Sequence, residues 1–187
     1  MGKPSAVRTG VLLAAWLYAA QAGAVFYTFP LGSQALTMRV GPSTGVAEVS
    51  FTVSGSSLSP SPLEVSAASP IEVEVIWQRP FLGGLFSSAT VTVDASAGLA
   101  CQAGSGCGST VIPFSDICWT TSDPAGSGED LVSSCFTGSA SQQVASFGAV
   151  LGTSRGMRNN LTFRYRNTRV YPAGTYRGRV TFTATLL

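Results

Sequence analysis

The stretch Val170-Tyr-Pro-Ala-Gly-Thr-Tyr-Arg-Gly-Arg-Val-Thr-Phe-Thr-Ala-Thr-Leu-Leu187 is a Pro/Gly turn that runs directly into an alternating strand. Tyr176, Gly178, Val180, Phe182, Ala184 and Leu186 share one face, and Thr175, Arg177, Arg179, Thr181, Thr183 and Thr185 share the other. Because side chains along a strand alternate, one face suits a core and one suits water. A strand of this kind needs a sheet partner, from its own chain or from a neighbour.

The same pattern recurs upstream. In Ile71-Glu-Val-Glu-Val-Ile-Trp77 the apolar positions Ile71, Val73, Val75 and Trp77 oppose Glu72 and Glu74, which reads as a half-buried strand. Leu36, Met38 and Val40 alternate before the turn Gly41-Pro-Ser-Thr-Gly45. Ala47, Val49, Phe51 and Val53 alternate after it, as do Ala89, Val91, Val93 and Ala95 further on. Val111 to Trp119 reads as extended, with Pro113 implying an edge or a bulge. Gln142–Phe147 and Leu161–Tyr165 supply two more strands, and Gly98–Ser109 and Thr121–Ser134 read as loops. Eight or nine short strands with frequent turns predict an all-β, antiparallel sandwich.

At the other end, Lys3 and Arg8 precede an apolar run from Val11 to Ala20 and the small residues Ala22-Gly23-Ala24, the layout of a secretory signal peptide. The expected organisation is a signal over residues 1–24, an N-terminal extension or first strand over 25–33, and a sandwich domain over 34–187. No stretch approaches the roughly 20 apolar residues that a membrane-spanning helix needs. Without the leader the chain has nine basic and nine acidic residues, so it lacks the cationic footprint of nucleic-acid binding. An exported chain with Cys101, Cys107, Cys118 and Cys135 is expected to form disulfides rather than a metal site. Of the three pairings, Cys101–Cys107 and Cys118–Cys135 close the smallest loops.

Histidine is absent, and the single lysine lies in the leader. Ser-His-Asp, Cys-His, Ser-Lys and Schiff-base mechanisms are thereby excluded. Paired carboxylates remain, with Glu72 and Glu74, or Asp116 and Asp123, as the nominees. Glu72 and Glu74 stand about 7 Å apart on one strand face, a spacing that glycosidases use. Alternate acids are also what a solvent face ordinarily carries, and the expectation is a non-enzyme with no cofactor.

The acidic residues all lie at or before Asp130, whereas Arg155, Arg158, Arg164, Arg166, Arg169, Arg177 and Arg179 crowd the C-terminal part. Ion pairs from the Arg164/Arg166 and Arg177/Arg179 strands to Glu72 and Glu74 are expected on a solvent face, with a docking stripe for an acidic partner as the rival. Asn160-Leu-Thr162 matches the short glycosylation acceptor pattern. Trp77, Trp119, Tyr165 and Tyr171 are the candidates for a sugar-stacking platform, with core packing as the ordinary role of Trp77.

The C-terminal segment resembles the last strand of subunits assembled by the chaperone–usher route, the pilins and the related spore-coat-U-type secreted proteins. Gly174 is fourteenth from the C-terminus, where those subunits carry glycine. Pro172-Ala-Gly-Thr-Tyr176 is similar to the turn that enters their last strand, and the apolar alternation continues to the end. Leu186 departs from the penultimate tyrosine of many pilins. The resemblance implies an incomplete immunoglobulin-like sandwich. A periplasmic chaperone fills its gap first, and at an outer-membrane usher the N-terminal extension of a neighbouring subunit replaces the chaperone. It assigns Gly174, Tyr176, Val180, Phe182, Ala184 and Leu186 to the acceptor strand, with Val25, Tyr27, Phe29 and Leu31 as the donor. The expected function is therefore an exported structural subunit of a fimbrial or other surface assembly. The alternative is a self-contained secreted sandwich that binds carbohydrate or another surface ligand through its cysteine-braced loops.

Overall fold

The structure is a computed structural model that describes residues 27–31, 34–42, 48–54, 58, 61, 63–79, 88–122, 131–148 and 153–187. The leader, Val25 and Asp123 lie outside the described residues. The described chain is all-β and antiparallel throughout.

Its largest sheet has the order β1 (Tyr27–Leu31), β2 (Gln34–Val40), β4 (Ile71–Arg79), β11 (Thr153–Arg166), β8 (Ile117–Ser122), β9 (Ser134–Cys135), with β3 (Glu64–Ser66) added on β11. A three-stranded sheet has β5 (Ser88–Asp94) between β10 (Gln142–Gly148) and β13 (Thr181–Leu186). A small third sheet joins β12 (Tyr176–Arg177), β6 (Leu99–Cys101) and β7 (Val111–Ile112).

Alternation dictates which side chains meet between the two larger sheets. Leu36 and Met38, Val73, Val75 and Trp77, Met157, Leu161, Phe163 and Tyr165, and Ile117 and Trp119 come from the large sheet. Ala89, Val91 and Val93 of β5 and Ala145 and Phe147 of β10 join them in one buried cluster. Each buried large side chain contributes about 1.5–3 kcal/mol. Phe136 links the end of this core, with ring centroids 4.8 Å from Trp119, 5.7 Å from Phe114 and 6.0 Å from Phe163.

Four expectations need correction. The strand read over Leu161–Tyr165 is the C-terminal part of a 14-residue strand. Its first half escapes an apolar count because Asn159 takes an inward position. That side chain is fully buried, accepting the Leu131 N–H at 3.0 Å and donating to the Ser122 carbonyl at 3.4 Å. Val111 to Trp119 is not continuous: Pro113 leads into a 3-10 turn over Phe114–Asp116 that separates β7 from β8. Residues 48–54 alternate as expected, with Val49, Phe51 and Val53 half-buried against the core, yet they pair in no ladder among the described residues. Finally, residues 175–187 are two strands, β12 and β13, in different sheets.

Candidate functional site: the free edge of the C-terminal strand

The division between β12 and β13 has a steric cause at Gly178. A Cβ built there would lie 2.3 Å from the Gly98 carbonyl oxygen and 2.9 Å from the Phe114 ring, so the chain passes directly over β6 as it changes sheets. Upstream, β12 pairs with β6 through Tyr176↔Cys101 and Arg177↔Ala100. Tyr176 therefore stands in the small sheet, whereas Phe182, Ala184 and Leu186 stand in β13, with Val180 just before it.

The turn before β12 is built on a disulfide. The cysteines pair as Cys101–Cys107 and Cys118–Cys135. A Cβ at Gly174 would meet Cys107 Sγ at 2.4 Å, so glycine is what lets the turn rest on that bridge. The Gln102 N–H donates to the Thr175 carbonyl at 2.8 Å and the Ser105 hydroxyl donates to the same oxygen at 3.3 Å. The Tyr176 hydroxyl closes the turn on the Pro172 carbonyl at 2.8 Å. The loop around Cys101–Cys107 thus faces the final strand.

Along β13 the hydrogen-bonding direction follows from one pair. Ser88 N–H donates to the Leu187 carbonyl at 3.0 Å and Leu187 N–H donates back at 2.8 Å. Bonded and non-bonded pairs alternate in an antiparallel ladder, so Thr185↔Thr90, Thr183↔Thr92 and Thr181↔Asp94 are also bonded pairs. The backbone N–H and C=O groups of Phe182, Ala184 and Leu186 consequently point away from β5, toward an edge with no paired strand among the described residues. Their side chains are half-buried, although their β5 partners Val93, Val91 and Ala89 are at most 1% exposed. No family model, curated protein or solved structure matches this chain.

The opposite edge of the same sheet is different. β10 carries a register shift between Gln143 and Ala145, a bulge that spoils templating. Gln142 at its start is tied down, donating to the Cys135 carbonyl at 3.0 Å and accepting the Thr137 N–H at 2.8 Å. β13 has a continuous register and neither proline nor charge between Thr181 and Leu186.

The remaining nominated residues fall elsewhere. The donor nominees Tyr27, Phe29 and Leu31 lie on β1, whose backbone pairs with β2 of the same chain, from Tyr27↔Met38 to Leu31↔Gln34. Glu72 and Glu74 are engaged in ion pairs: Arg39 contacts both, reaching Glu74 at 3.0 Å, and Arg158 reaches Glu72 at 2.8 Å. The expected ladder exists with other arginines. The β4–β11 register ends at Ile71↔Leu161, so Arg164 lies beyond β4 and meets Glu64 of β3 at 2.7 Å. The Arg158 hydrogen bond holds the Glu72 carboxyl below its usual range, against the opposing pull of desolvation. A general acid needs the reverse shift.

Asp116 is buried and accepts the Tyr171 hydroxyl at 2.7 Å. Burial first, and then that bond, push the Tyr171 phenol up to about 12. Of the four candidates for a sugar-stacking platform, Trp77, Trp119 and Tyr165 are core residues and Tyr171 is half-buried. Asn160 lies mid-strand between Glu72 and Ser122. Among the described residues, no three His, Cys, Asp or Glu side chains are grouped to hold a metal, and no helix is long and apolar enough to cross a membrane.

Proposed function

We propose that this chain is a non-enzymatic, exported structural subunit that joins a fimbrial or other surface assembly by β-strand complementation. Its sandwich is of the immunoglobulin-like, pilin-like kind, and β13 is the acceptor. The observation that carries this reading is the edge of β13, where a regular row of backbone groups with no paired strand among the described residues stands beside half-buried Phe182, Ala184 and Leu186. Strand addition uses these two features together: main-chain hydrogen bonds supply affinity and alternate side chains fill pockets. The bulged β10 edge supports the reading by contrast, since it carries a device against pairing that β13 lacks.

In this account residues 25–31 are the segment the subunit donates to a neighbour. β1 suits exchange because, among the described residues, it is terminal in its sheet and pairs only with β2. A periplasmic chaperone would cover β13 in transit, and an outer-membrane usher would pass the subunit to the cell surface. The two disulfides fit an oxidising compartment.

Thermal melting with a synthetic peptide of residues 25–33 tests the proposal. Ala184→Pro removes one edge-facing N–H without touching a β5 bond, because proline is tolerated on an edge strand. A ligand at a hundredfold excess over its Kd stabilises by about 2.7 kcal/mol. The peptide is expected to raise the Tm of the wild type and not that of Ala184→Pro. Equal shifts in both proteins, or none in either, would contradict strand addition at β13.

A further inference from the structure

The outward face of the final strands is graded: Arg177 and Arg179 come first, then Thr181, Thr183 and Thr185, all of them exposed. Among the described residues, the ion pairs these two cations make are confined to one long, exposed contact. The Arg177 side chain is 74% exposed, and its anion, Glu48, lies 4.0 Å away and is itself 69% exposed. Arg177 pairs across β12 with Ala100, which carries no charge. Arg179 makes no ion pair among the described residues. The acid in the adjoining ladder, Asp94 opposite Thr181, accepts the Ser96 N–H at 3.0 Å and the Ser96 hydroxyl at 2.7 Å and forms an ion pair with neither arginine.

A strand laid beside β13 places alternate side chains against Thr181, Thr183 and Thr185, and only where it runs on past the start of β13 does it meet Arg179 and Arg177. Opposite charges across a strand pair stabilise it and like charges destabilise it. From this gradient, and resting on strand addition at β13, we infer that the natural occupant of the edge is an acidic-ended extended segment from a different chain. Its inward residues are apolar, its outward residues are neutral and polar beside Thr181–Thr185, and acidic residues lie at the end that meets Arg177 and Arg179. Residues 25–33 of this chain, Val-Phe-Tyr-Thr-Phe-Pro-Leu-Gly-Ser, contain no acid. As a donated segment, residues 25–33 of a second copy therefore offer the apolar half of the match without the charged half, and the edge favours a mixed assembly over a homopolymer joined by that segment.

The experiment measures binding of three peptides to the oxidised protein at low and high salt: residues 25–33, and the same segment with Phe26→Glu or with Gly32→Glu. Both changes fall on outward positions, at opposite ends, so the stronger binder also reports the direction of the added strand. One acidic peptide is expected to bind about three- to tenfold tighter than the neutral one. That advantage should vanish at high salt, and in the double variant Arg177→Ser, Arg179→Ser, which should keep its affinity for the neutral peptide. Equal affinity for all three peptides would overturn the inference and leave strand addition standing, with a second copy as the occupant. Binding of none would overturn both.

Discussion

Gly174 and Gly178 are where single atoms decide the course of the final strands. At Gly174 a methyl group would press on Cys107 Sγ at 2.4 Å and on Cys107 Cβ at 2.7 Å, so Gly174→Ala is expected to cost about 1–3 kcal/mol in chemical unfolding. The cost should shrink when Cys101 and Cys107 are both replaced by alanine, because the sulfur then no longer occupies the space. Gly178→Ala should cost more, since the obstacle at 2.3 Å is a backbone carbonyl that cannot swing aside. At Tyr171 the phenol is neutral and bound to Asp116 in the folded protein, and its folded-state value of about 12 exceeds the unfolded value near 10. The stabilisation it contributes is complete below about pH 10 and is lost as pH rises toward 12. An alkaline unfolding titration should show this loss in the wild type and a shallower one in Tyr171→Phe. Glu72 works in the opposite sense. Its depressed folded-state value makes its contribution complete above the ordinary carboxylate range and lost as pH falls through the folded value. Glu72→Gln should cost at most about 1 kcal/mol at neutral pH, as expected for an ion pair near the surface.

At the scale of elements, the sequence is legible wherever alternation is uninterrupted and obscure wherever a polar group serves the core. β4, β5 and β13 announce themselves because each inward position is apolar. The first half of β11 does not, because Asn159 uses an inward position to bind Leu131 and Ser122. Residues 48–54 show the converse: their alternation is real and buries Phe51 within 6.2 Å of the Tyr165 ring, yet burial of one face does not supply a backbone partner. The candidate edge was half legible. Its apolar row and its glycines are visible in the residues, whereas the break at Gly178 depends on where Gly98 comes to lie. Arg164 and Glu72 stand on different ladders, which the residues alone do not reveal, because sequence shows which residues share a face but not the register between strands. Phe182→Ser should test the apolar half of the edge: it weakens peptide binding while costing less stability than Val91→Ser, because Phe182 is half-buried and Val91 is fully buried.

In the whole molecule, a seven-stranded sheet on one side and a three-stranded sheet on the other leave β13 with one edge unpaired among the described residues, and the proposed function makes that edge the site for another chain's strand. β13 also lies against β2, so the free edge opens beside the end of the large sheet that bears β1. Adding a strand there would satisfy the backbone of Phe182, Ala184 and Leu186 and bury their side chains in one step. Amide hydrogen exchange, read residue by residue along β13 in the isolated protein and in its complex with an added strand, tests this most directly. In the isolated protein the amides of Thr181, Thr183 and Thr185 should be protected by β5, and those of Phe182, Ala184 and Leu186 should exchange rapidly. In the complex all six should be protected. Protection of Phe182, Ala184 and Leu186 already in the isolated protein, or rapid exchange persisting in the complex, would contradict the account.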